Sequence, residues 1–291
     1  MAGAFIVSAA DSGYWPYLSG LLNSIDKRRR VAGTAVGVLD LGLLPDQLDR
    51  LKAYGAIVVA PGWDYDISTF TKEPAPTFRA MTARPHLPKH FPGFDCYAWI
   101  DADCWVQDWH VVKTLIAEAQ RWGLSIVPEV DRSYSPFLPK GTFLDWAYSC
   151  FARCYGEGEL AVRLAHYPVL NCGVFAAPFR SPVWEVWRDQ LGKVLSRIRE
   201  GFFFAEQTAL NYCVRHEGIV AAPLPARYNW MCNRALPFLD ADGKTLVEPA
   251  PPFEPLGIIH LAAGTRDGMH HLNDTSGRVH CRTLTFPPLR S

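Results

Sequence analysis

The amino-terminal part of the chain alternates short apolar runs with segments of helical periodicity. Apolar runs at 4–9, 34–42 and 56–62 are separated by two segments, 15–25 and 44–55, in which apolar residues recur at helical spacing. Runs that are apolar throughout are typical of strands covered on both faces. The order strand, helix, strand, helix, strand therefore predicts a parallel sheet with helices on both sides.

The rest of the chain continues this pattern less regularly. A fourth apolar run at 97–100 is followed by an amphipathic helix at 109–123. Further strands are predicted at 124–130, 169–177, 219–223 and 256–264, and further helices at 77–84, 181–198 and 206–216. With neither an internal repeat nor a linker-like change in composition, the sequence predicts an α/β fold. A mainly parallel central sheet, flanked by helices, would form one domain over residues 1–291.

Composition excludes several classes of partner. The chain has 29 Lys and Arg against 29 Asp and Glu, so no net charge attracts it to nucleic acid. Its start, "MAGAFIVSAADSGYWP", lacks the basic segment of a signal peptide, and no run approaches the roughly 18 apolar residues of a membrane span. Eight scattered cysteines without paired spacing indicate reduced core thiols rather than a zinc site. We expect a cytoplasmic protein, at most loosely peripheral to the inner membrane face, without a nucleic-acid partner.

Two aspartates, Asp101 and Asp103, directly follow the apolar run at 97–100. Two like charges so close repel each other, and a cation or a reaction is the usual reason for such a pair. In open α/β sheets ligands bind at the carboxyl ends of strands, and Mg²⁺ and Mn²⁺ prefer carboxylate oxygens. The pair predicts either a divalent-cation site or a polar turn that caps the strand.

Three more polar features interrupt apolar segments. His260 is either a satisfied core residue or an imidazole that completes a carboxylate metal site. The kink at 171–173 is either a β-bulge or a point of close ligand approach, where Asn171 could bind sugar hydroxyls. Glu206 and Gln207 open a helix, and they either stabilise its amino terminus or lie beside a sugar.

In this order the motifs resemble those of GT-A glycosyltransferases, most closely family 8, the retaining galactosyl- and glucosyltransferases that include glycogenin. "SAADSGYWPYLSGLLNSI" resembles the family's first strand and helix, "LNCGVFA" its NxGV strand, "EQTALN" its DQxxLN helix start and "IIHLAAGTRDG" its closing HxxGxxKPW. The resemblance covers residue 5 to about residue 266. The chain has Gly13 where Asn is frequent, Glu206 in place of Asp, one residue inserted before Gly264, and Arg266 in place of the phosphate-binding Lys.

The resemblance implies transfer of a hexose, with retention, from a nucleotide-diphosphate sugar such as a UDP-sugar. It implies that Asp101, Asp103 and His260 hold Mn²⁺ or Mg²⁺. It also implies catalytic roles for Gln207, Glu206 and Asn171. The implied nucleotide-sugar contacts are Ala9, Asp11, Tyr14, Arg84, Asp101, Ala102, Asn171, Gly173, Gly264 and Arg266. The nucleotide-binding half would cover about 1–108, and the acceptor side with the closing tail about 109–291. The acceptor stays open among a carbohydrate, a lipid-linked molecule and a protein.

Two other classes of protein compete with this interpretation. The replacement by Glu206 and the altered tail motif favour a non-catalytic nucleotide-sugar-binding relative. A haloacid-type phosphohydrolase also carries two aspartates after a strand. Its nucleophilic Asp, however, normally lies near the start of the chain and precedes a small hydroxyl residue, whereas here the pair begins at Asp101 and leads into Cys104 and Trp105.

Overall fold

The computed structural model of the chain describes residues 3–28 and 34–289. The strands, numbered along the chain, are β1 (Ala4–Ala10), β2 (Ala35–Asp40), β3 (Ile57–Val59), β4 (Cys96–Ile100), β5 (Cys104–Val106), β6 (Ser125–Pro128), β7 (Leu170–Pro178), β8 (Ala222–Pro223), β9 (Trp230–Met231), β10 (Phe238–Leu239), β11 (Leu246–Val247), β12 (Ile258–His260), β13 (His270–Asn273) and β14 (Val279–Arg282). The helices are α1 (Trp15–Arg28), α2 (Pro45–Tyr54), α3 (Phe78–Ala83), α4 (Leu87–His90), α5 (Trp109–Trp122), α6 (Phe143–Tyr155), α7 (Glu159–Ala165), α8 (Val183–Arg197) and α9 (Ala205–Arg215).

The central sheet has seven strands in the order β3-β2-β1-β4-β7-β6-β8. Strands β3, β2, β1 and β4 run parallel to one another, and β6 is parallel to β8. Strand β7 is antiparallel to both β4 and β6. The predicted α/β fold with a mainly parallel sheet is confirmed, and among the described strands of this central sheet only β7 is reversed.

Successive residues of the central strands face two different apolar layers. In β1, Phe5 and Val7 pack into one layer and Ile6 into the other, while in β4 Trp99 and Ala98 divide in the same way. This is the two-residue period of an extended strand. Helices α8 and α9 cover the first layer, and α1 and α5 cover the second. Because both faces are buried, these strands are apolar throughout.

The reversed strand β7 brings its first residues to the carboxyl end of β4. Ile100 pairs with Val174, and the backbone N–H of Asp101 donates to the carbonyl of Gly173 at 2.8 Å. A second, three-stranded sheet, β5-β12-β9, lies at the same end. In it β12 runs antiparallel to β5, so that His260 is directly opposite Cys104. Residues far apart in sequence therefore converge at one edge of the central sheet.

Most predicted elements are present, and several are shorter than predicted. The predicted strand at 219–223 keeps only two residues in β8, and that at 256–264 keeps three in β12, followed by a 3-10 turn. Helices α6 and α7 and the short strands β5 and β9 were not predicted. Within 3–28 and 34–289, each helix is too short or too polar to span a bilayer.

Candidate active site

A cavity of about 480 Å³ opens where β1 and β4 end and β7 begins. Every site residue predicted from the sequence lines this cavity except Gly264. Segments on both sides of the central sheet contribute to the lining, including the 3-10 turn after α3, the start of α9 and the turn after β12. The structure therefore places the predicted metal, nucleotide-sugar and catalytic residues around one space.

The two aspartates present oxygens to the same ring nitrogen. Asp101 Oδ1 accepts from Trp99 Nε1 at 2.7 Å and from the guanidinium of Arg84. Asp101 Oδ2 lies 3.9 Å from His260 Nε2. Asp103 Oδ1 lies 3.4 Å from that nitrogen. Each aspartate thus has one carboxylate oxygen within 4 Å of the imidazole Nε2.

A chain of side-chain hydrogen bonds orients the imidazole. Asn171 Nδ2 donates to Glu129 Oε1 at 2.8 Å, and Asn229 Nδ2 donates to Asn171 Oδ1 at 2.9 Å. Asn229 Oδ1 then faces His260 Nδ1 at 2.9 Å, so Nδ1 is the donor. In the neutral ring the lone pair is consequently on Nε2, which points at Asp101 and Asp103. Metal-binding histidines are typically held by an outer hydrogen bond of this kind.

Burial and neighbouring charges shift the pKa values of Asp103 and His260 in opposite directions. Burial would raise the pKa of Asp103, but His260 and then Arg266 lower it below its ordinary value. Burial would lower the pKa of His260, but Cys104 and Asp103 raise it well above its ordinary value. A cation bound at Nε2 would take the place of a proton on that nitrogen.

Gly173 leaves room beside the carboxylates. A Cβ at this position would lie 2.6 Å from His260 Cε1 and 2.8 Å from both Asn171 Oδ1 and Asp101 Oδ2. The Gly173 N–H also donates to Asn171 Oδ1 at 2.8 Å. The pairing of β6 with β7 shifts register at this kink, as the β-bulge alternative predicts, and the glycine allows the strand to pass against the side chains of Asp101 and His260.

Arg84 joins the aspartates to the start of α9. Its guanidinium donates to Asp101 and to Glu206, and its Cζ lies 4.7 Å from the centroid of the Trp99 ring. Burial would lower the pKa of Arg84, but the two carboxylates raise it above its ordinary value. The side chain is thus a fixed cation at the edge of the cavity, and Glu206 pairs with it in addition to opening a helix.

Gln207 and Asn211 attach α9 to the first residues of β7. Gln207 Oε1 accepts from the Cys172 N–H at 3.0 Å, and Asn211 Oδ1 accepts from the Leu170 N–H at 2.8 Å. Both amides satisfy backbone donors at the point where β6 and β7 change register. Gln207 also lines the cavity. Because its side chain is bonded to the Cys172 N–H, its position depends on the kink of β7, which also contains Asn171.

The predicted base-binding residues lie at the end of β1. Asp11 Oδ1 accepts from the Tyr14 N–H at 2.9 Å at the start of α1. The Tyr14 hydroxyl accepts from Arg266, whose Nη1 lies 3.5 Å from Asp103 Oδ2. Arg266 therefore connects the amino-terminal helix to the aspartates, and its guanidinium lies along the wall of the cavity between them.

Gly264 differs from its predicted setting. It lies outside the cavity lining, and a Cβ there would meet no atom within 4 Å. Its neighbour Ala263 has φ of 54°, in the left-handed region that favours glycine. Ala263 lies three residues after His260 and Arg266 six after it, the spacing of HxxGxxK. An alignment with this motif that has no insertion would place Ala263 at the position of its glycine and Arg266 at the position of its lysine.

The donor set fits a divalent cation. Asp103, Cys104 and His260 each have one potential ligand atom within 4.8 Å of the others. Asp101 adds a carboxylate oxygen 3.9 Å from the imidazole Nε2. Together with the space that Gly173 leaves, these residues provide the oxygen and nitrogen atoms that Mg²⁺ and Mn²⁺ accept. The tightest group thus contains the predicted Asp103 and His260 with the thiol of Cys104, and the predicted Asp101 lies outside it.

The far side of the cavity is aromatic. Phe143 and Trp146 of α6 have ring centroids 4.9 Å apart, and Trp146 lies edge-on to Phe204 at 5.0 Å. Phe204 contacts Phe203 at 5.0 Å, and Phe203 is 63% exposed. Arg234 stacks over Phe143, with Cζ 3.9 Å from the ring centroid. This row of rings leads from the interior of the cavity to solvent.

Three residues of the site were not found from the sequence. Glu129 and Asn229 belong to the chain of hydrogen bonds that holds His260. Arg234 lines the cavity, and its Nη1 lies 3.6 Å from Glu129 Oε2. Burial raises the pKa of Glu129, against the opposing hydrogen bond from Asn171 and the charge of Arg234. Each is a single polar residue outside any motif, so only the fold reveals them.

Solved structures define the class of this fold. It is the GT-A fold that is found in glycosyltransferases, and the predicted fold is confirmed. The chain is similar to the galactosyltransferase LgtC, solved in complex with donor and acceptor sugar analogs. That similarity has a TM-score of 0.56 and 13% identity, over 90% of this chain and 88% of LgtC.

Two other solved glycosyltransferases share the fold over part of their length. WbbM, described as bifunctional, matches 90% of this chain with 46% of its own length, at 13% identity and a TM-score of 0.53. GlyE of Streptococcus pneumoniae TIGR4 matches 91% of this chain with 56% of its own, at 14% identity and a TM-score of 0.53. No protein-family model and no curated protein matches the chain.

Proposed function

We propose that the chain is a metal-dependent glycosyltransferase that moves a hexose from a nucleotide-diphosphate sugar, a UDP-sugar, to an acceptor with retention of configuration. One observation carries the proposal: two carboxylates, an oriented imidazole and two guanidinium groups, those of Arg84 and Arg266, surround one cavity of a GT-A fold. The similarity to LgtC, solved with donor and acceptor sugar analogs, supports this choice of substrate class.

Asp101, Asp103 and His260 would hold the cation, Mn²⁺ or Mg²⁺. When bound, the cation supplies positive charge next to a leaving diphosphate, whose negative charge grows in the transition state. Arg84 and Arg266 flank the aspartates and would add charge-assisted hydrogen bonds to the phosphate oxygens. Both guanidiniums are held by other residues before substrate arrives, Arg84 by Glu206 and Arg266 by Tyr14.

The hexose would lie between the cation site and the kink of β7. Asn171 and Gln207 line the cavity there, and both side chains are held by hydrogen bonds to buried partners. A polar group that is fixed in this way stabilises developing charge without reorganising during the reaction. Glu206 is a positioning residue in this proposal, because its carboxylate pairs with Arg84.

The base would lie at the end of β1, next to Ala9 and Asp11. One carboxylate oxygen of Asp11 caps the Tyr14 N–H. The carboxylate retains acceptor capacity for the N–H of a uracil ring. Replacing Asp11 with Ala is expected to weaken UDP binding by about 1–3 kcal/mol, the scale of losing a buried hydrogen-bond partner. Equal UDP affinities in calorimetry would remove Asp11 from the site.

The decisive experiment measures product release and thermal shift with a panel of nucleotide sugars, each with and without Mn²⁺. A transferase is expected to release nucleoside diphosphate slowly when water is the only acceptor. A phosphohydrolase would release inorganic phosphate, and a non-catalytic binder would give a thermal shift without turnover. Either of these two outcomes would contradict the proposal.

A matched variant separates catalysis from binding. Gln207→Ala should lower single-turnover transfer about 100-fold, the scale of removing one preorganised polar group, while donor affinity falls much less. The variant also leaves the Cys172 N–H unpaired, so its free energy of unfolding must be measured alongside. Weaker donor binding with unchanged saturated turnover would make Gln207 a ground-state contact only.

A further inference from the structure

The thiol of Cys104 belongs to the cation centre and has no part in the proposed function. Cys104 begins β5, directly opposite His260 in the antiparallel pair β5–β12, and is 2% exposed. Its Sγ, a carboxylate oxygen of Asp103 and a ring nitrogen of His260 lie within 4.8 Å of one another. In the part of the chain that the structure describes, no other group of three His, Cys, Asp or Glu side chains has this spacing.

We propose that Asp103, Cys104 and His260 form a binding site for a thiophilic divalent cation, Zn²⁺, overlapping the site of the oxygen-preferring cation. The two sites share Asp103 and His260. They differ in the third ligand, which is a carboxylate from Asp101 in one and a thiolate from Cys104 in the other. Only the consequence for catalysis rests on the proposed function, because the binding itself depends on these side chains alone.

Ligand chemistry separates the two ions. Zn²⁺ takes sulfur, nitrogen and oxygen ligands in four-coordinate sites, whereas Mg²⁺ and Mn²⁺ favour oxygen. The set of Asp103, Cys104 and His260 offers one of each kind and leaves a fourth position for water. The set with Asp101 offers two oxygens and one nitrogen. Exchanging the third ligand therefore changes which ion is preferred.

Geometry makes binding of the two ions mutually exclusive. His260 has one ring nitrogen available for a cation, Nε2, because Nδ1 is hydrogen-bonded to Asn229. That nitrogen lies 3.4 Å from Asp103 Oδ1 and 3.9 Å from Asp101 Oδ2, so a single imidazole serves both sites. An ion held by Asp103, Cys104 and His260 would occupy a group of ligand atoms that excludes Asp101. Zn²⁺ would then inhibit a Mn²⁺-dependent reaction by competition.

The test uses Cd²⁺ as a spectroscopic substitute for Zn²⁺ on the full-length chain. Cys281 is exposed and lies opposite His271 in the hairpin β13–β14, so the parent for all measurements is Cys281→Ser. Titration with Cd²⁺ is expected to produce one equivalent of ultraviolet sulfur-to-cadmium charge-transfer absorption. Cys104→Ser should abolish that band. Cys96→Ser, which removes a buried thiol from β4 at the end away from the cavity, should retain it.

Competition with Mn²⁺ gives an independent measurement. Adding Zn²⁺ to the Mn²⁺-loaded parent should restore the electron paramagnetic resonance signal of free Mn²⁺. Cys104→Ser should raise the Zn²⁺ concentration needed by at least about 10-fold, since even outer-sphere changes alter metal affinity by that factor. Cys104→Ala serves the same purpose if the serine variant does not fold.

The outcomes distinguish this inference from the proposed function. An absent charge-transfer band in the parent, or a band that survives in both Cys104 variants, overturns the thiol site even if the protein turns over nucleotide sugars with Mn²⁺. A band that depends on Cys104 in a protein without turnover supports the thiol site and contradicts the proposed function alone.

Discussion

The two ends of the cavity are built in different ways. At one end Asp101, Asp103 and His260 are fixed by hydrogen bonds and ion pairs to buried partners. At the other end, Trp146 and Phe203 form part of a row of rings held by edge and tilted contacts, and Phe203 is largely exposed. The polar end lies where central strands terminate, whereas the aromatic end comes from α6 and the loop before α9.

This difference leads us to expect different functions for the two ends of the cavity. Polar groups that stabilise developing charge must be placed accurately, and rigid strands are suited to that purpose. Aromatic rings bind sugar faces and apolar groups through area and tolerate small displacements. Within the proposed function, the polar end would bind the donor and the aromatic end the acceptor, and four experiments test this proposal.

The largest effect is expected for Asp103→Asn. Loss of one of the shared carboxylate oxygens should weaken Mn²⁺ binding and Mn²⁺-dependent donor binding by more than about 100-fold, beyond the range seen for outer-sphere changes. The fold should survive, because the substitution also relieves repulsion with Asp101. Calorimetry with Mn²⁺ and circular dichroism measure the two effects. Full activity at low Mn²⁺ would contradict the metal assignment.

The substitution Gly173→Ala should crowd the polar end of the cavity. The added Cβ would meet Asp101 Oδ2 and Asn171 Oδ1, each at 2.8 Å, in a strand that cannot move away easily. We expect a loss of about 1–3 kcal/mol in the free energy of unfolding, together with weaker cation binding. Gly264→Ala is the matched control, because a Cβ there meets no atom within 4 Å. Equal denaturation midpoints for the two variants would contradict the close packing at the kink.

The acceptor end is tested by Trp146→Ala. Transfer to a sugar acceptor should fall about 10-fold, the scale of losing an aromatic contact worth 1–1.5 kcal/mol. Hydrolysis of the donor by water should change little, because water needs no aromatic surface. The measured quantity is the ratio of transfer to hydrolysis. Trp122→Ala, at a position that is 45% exposed on α5, is the control that should leave this ratio unchanged. A parallel loss of both reactions would place Trp146 at the donor end.

The smallest effect concerns pH in the cation-free protein. The pKa of His260 is raised in the folded state, so its stabilising contribution is complete below its unfolded pKa of about 6.5 and is lost as pH rises through the folded value. Mn²⁺ binds the neutral ring, and its stabilising effect should therefore grow with pH. Melting temperatures between about pH 6 and 9, with and without Mn²⁺, measure this trend. His260→Gln should remove it, and a Mn²⁺ effect independent of pH would contradict it.

Sequence patterns predicted the polar end better than the aromatic end. Asp101 and His260 terminate apolar runs, and such breaks are visible without any tertiary information. Glu129 and Asn229 are single polar residues whose role depends on contacts with chain segments 42 and 31 residues away. Helix α6, which supplies Trp146, follows a loop without clear periodicity and was not predicted. Local sequence patterns predict strands and helix caps. Chains of hydrogen bonds and the aromatic lining of a cavity depend instead on packing between distant segments.

Spacing in the closing motif illustrates the same limit. By residue identity alone, Gly264 is the natural match to the motif's glycine and requires an insertion. The backbone instead has its left-handed residue at Ala263, a conformation that costs a residue with a Cβ of the order of 1 kcal/mol. Backbone dihedral angles therefore favour an alignment that residue identities alone do not indicate.

The position of His260 also has a consequence for how the protein is made. The cation centre joins Asp101 and Asp103 to an imidazole more than 150 residues later in the chain, carried by β12 and paired with β5. A nascent chain on the ribosome has its two aspartates long before their partner is synthesised. Until β12 emerges, the proposed cation site lacks its imidazole. In the proposed function, cation binding would therefore be a late event of synthesis, and a chain interrupted before Ile258 would lack one of the three proposed ligands.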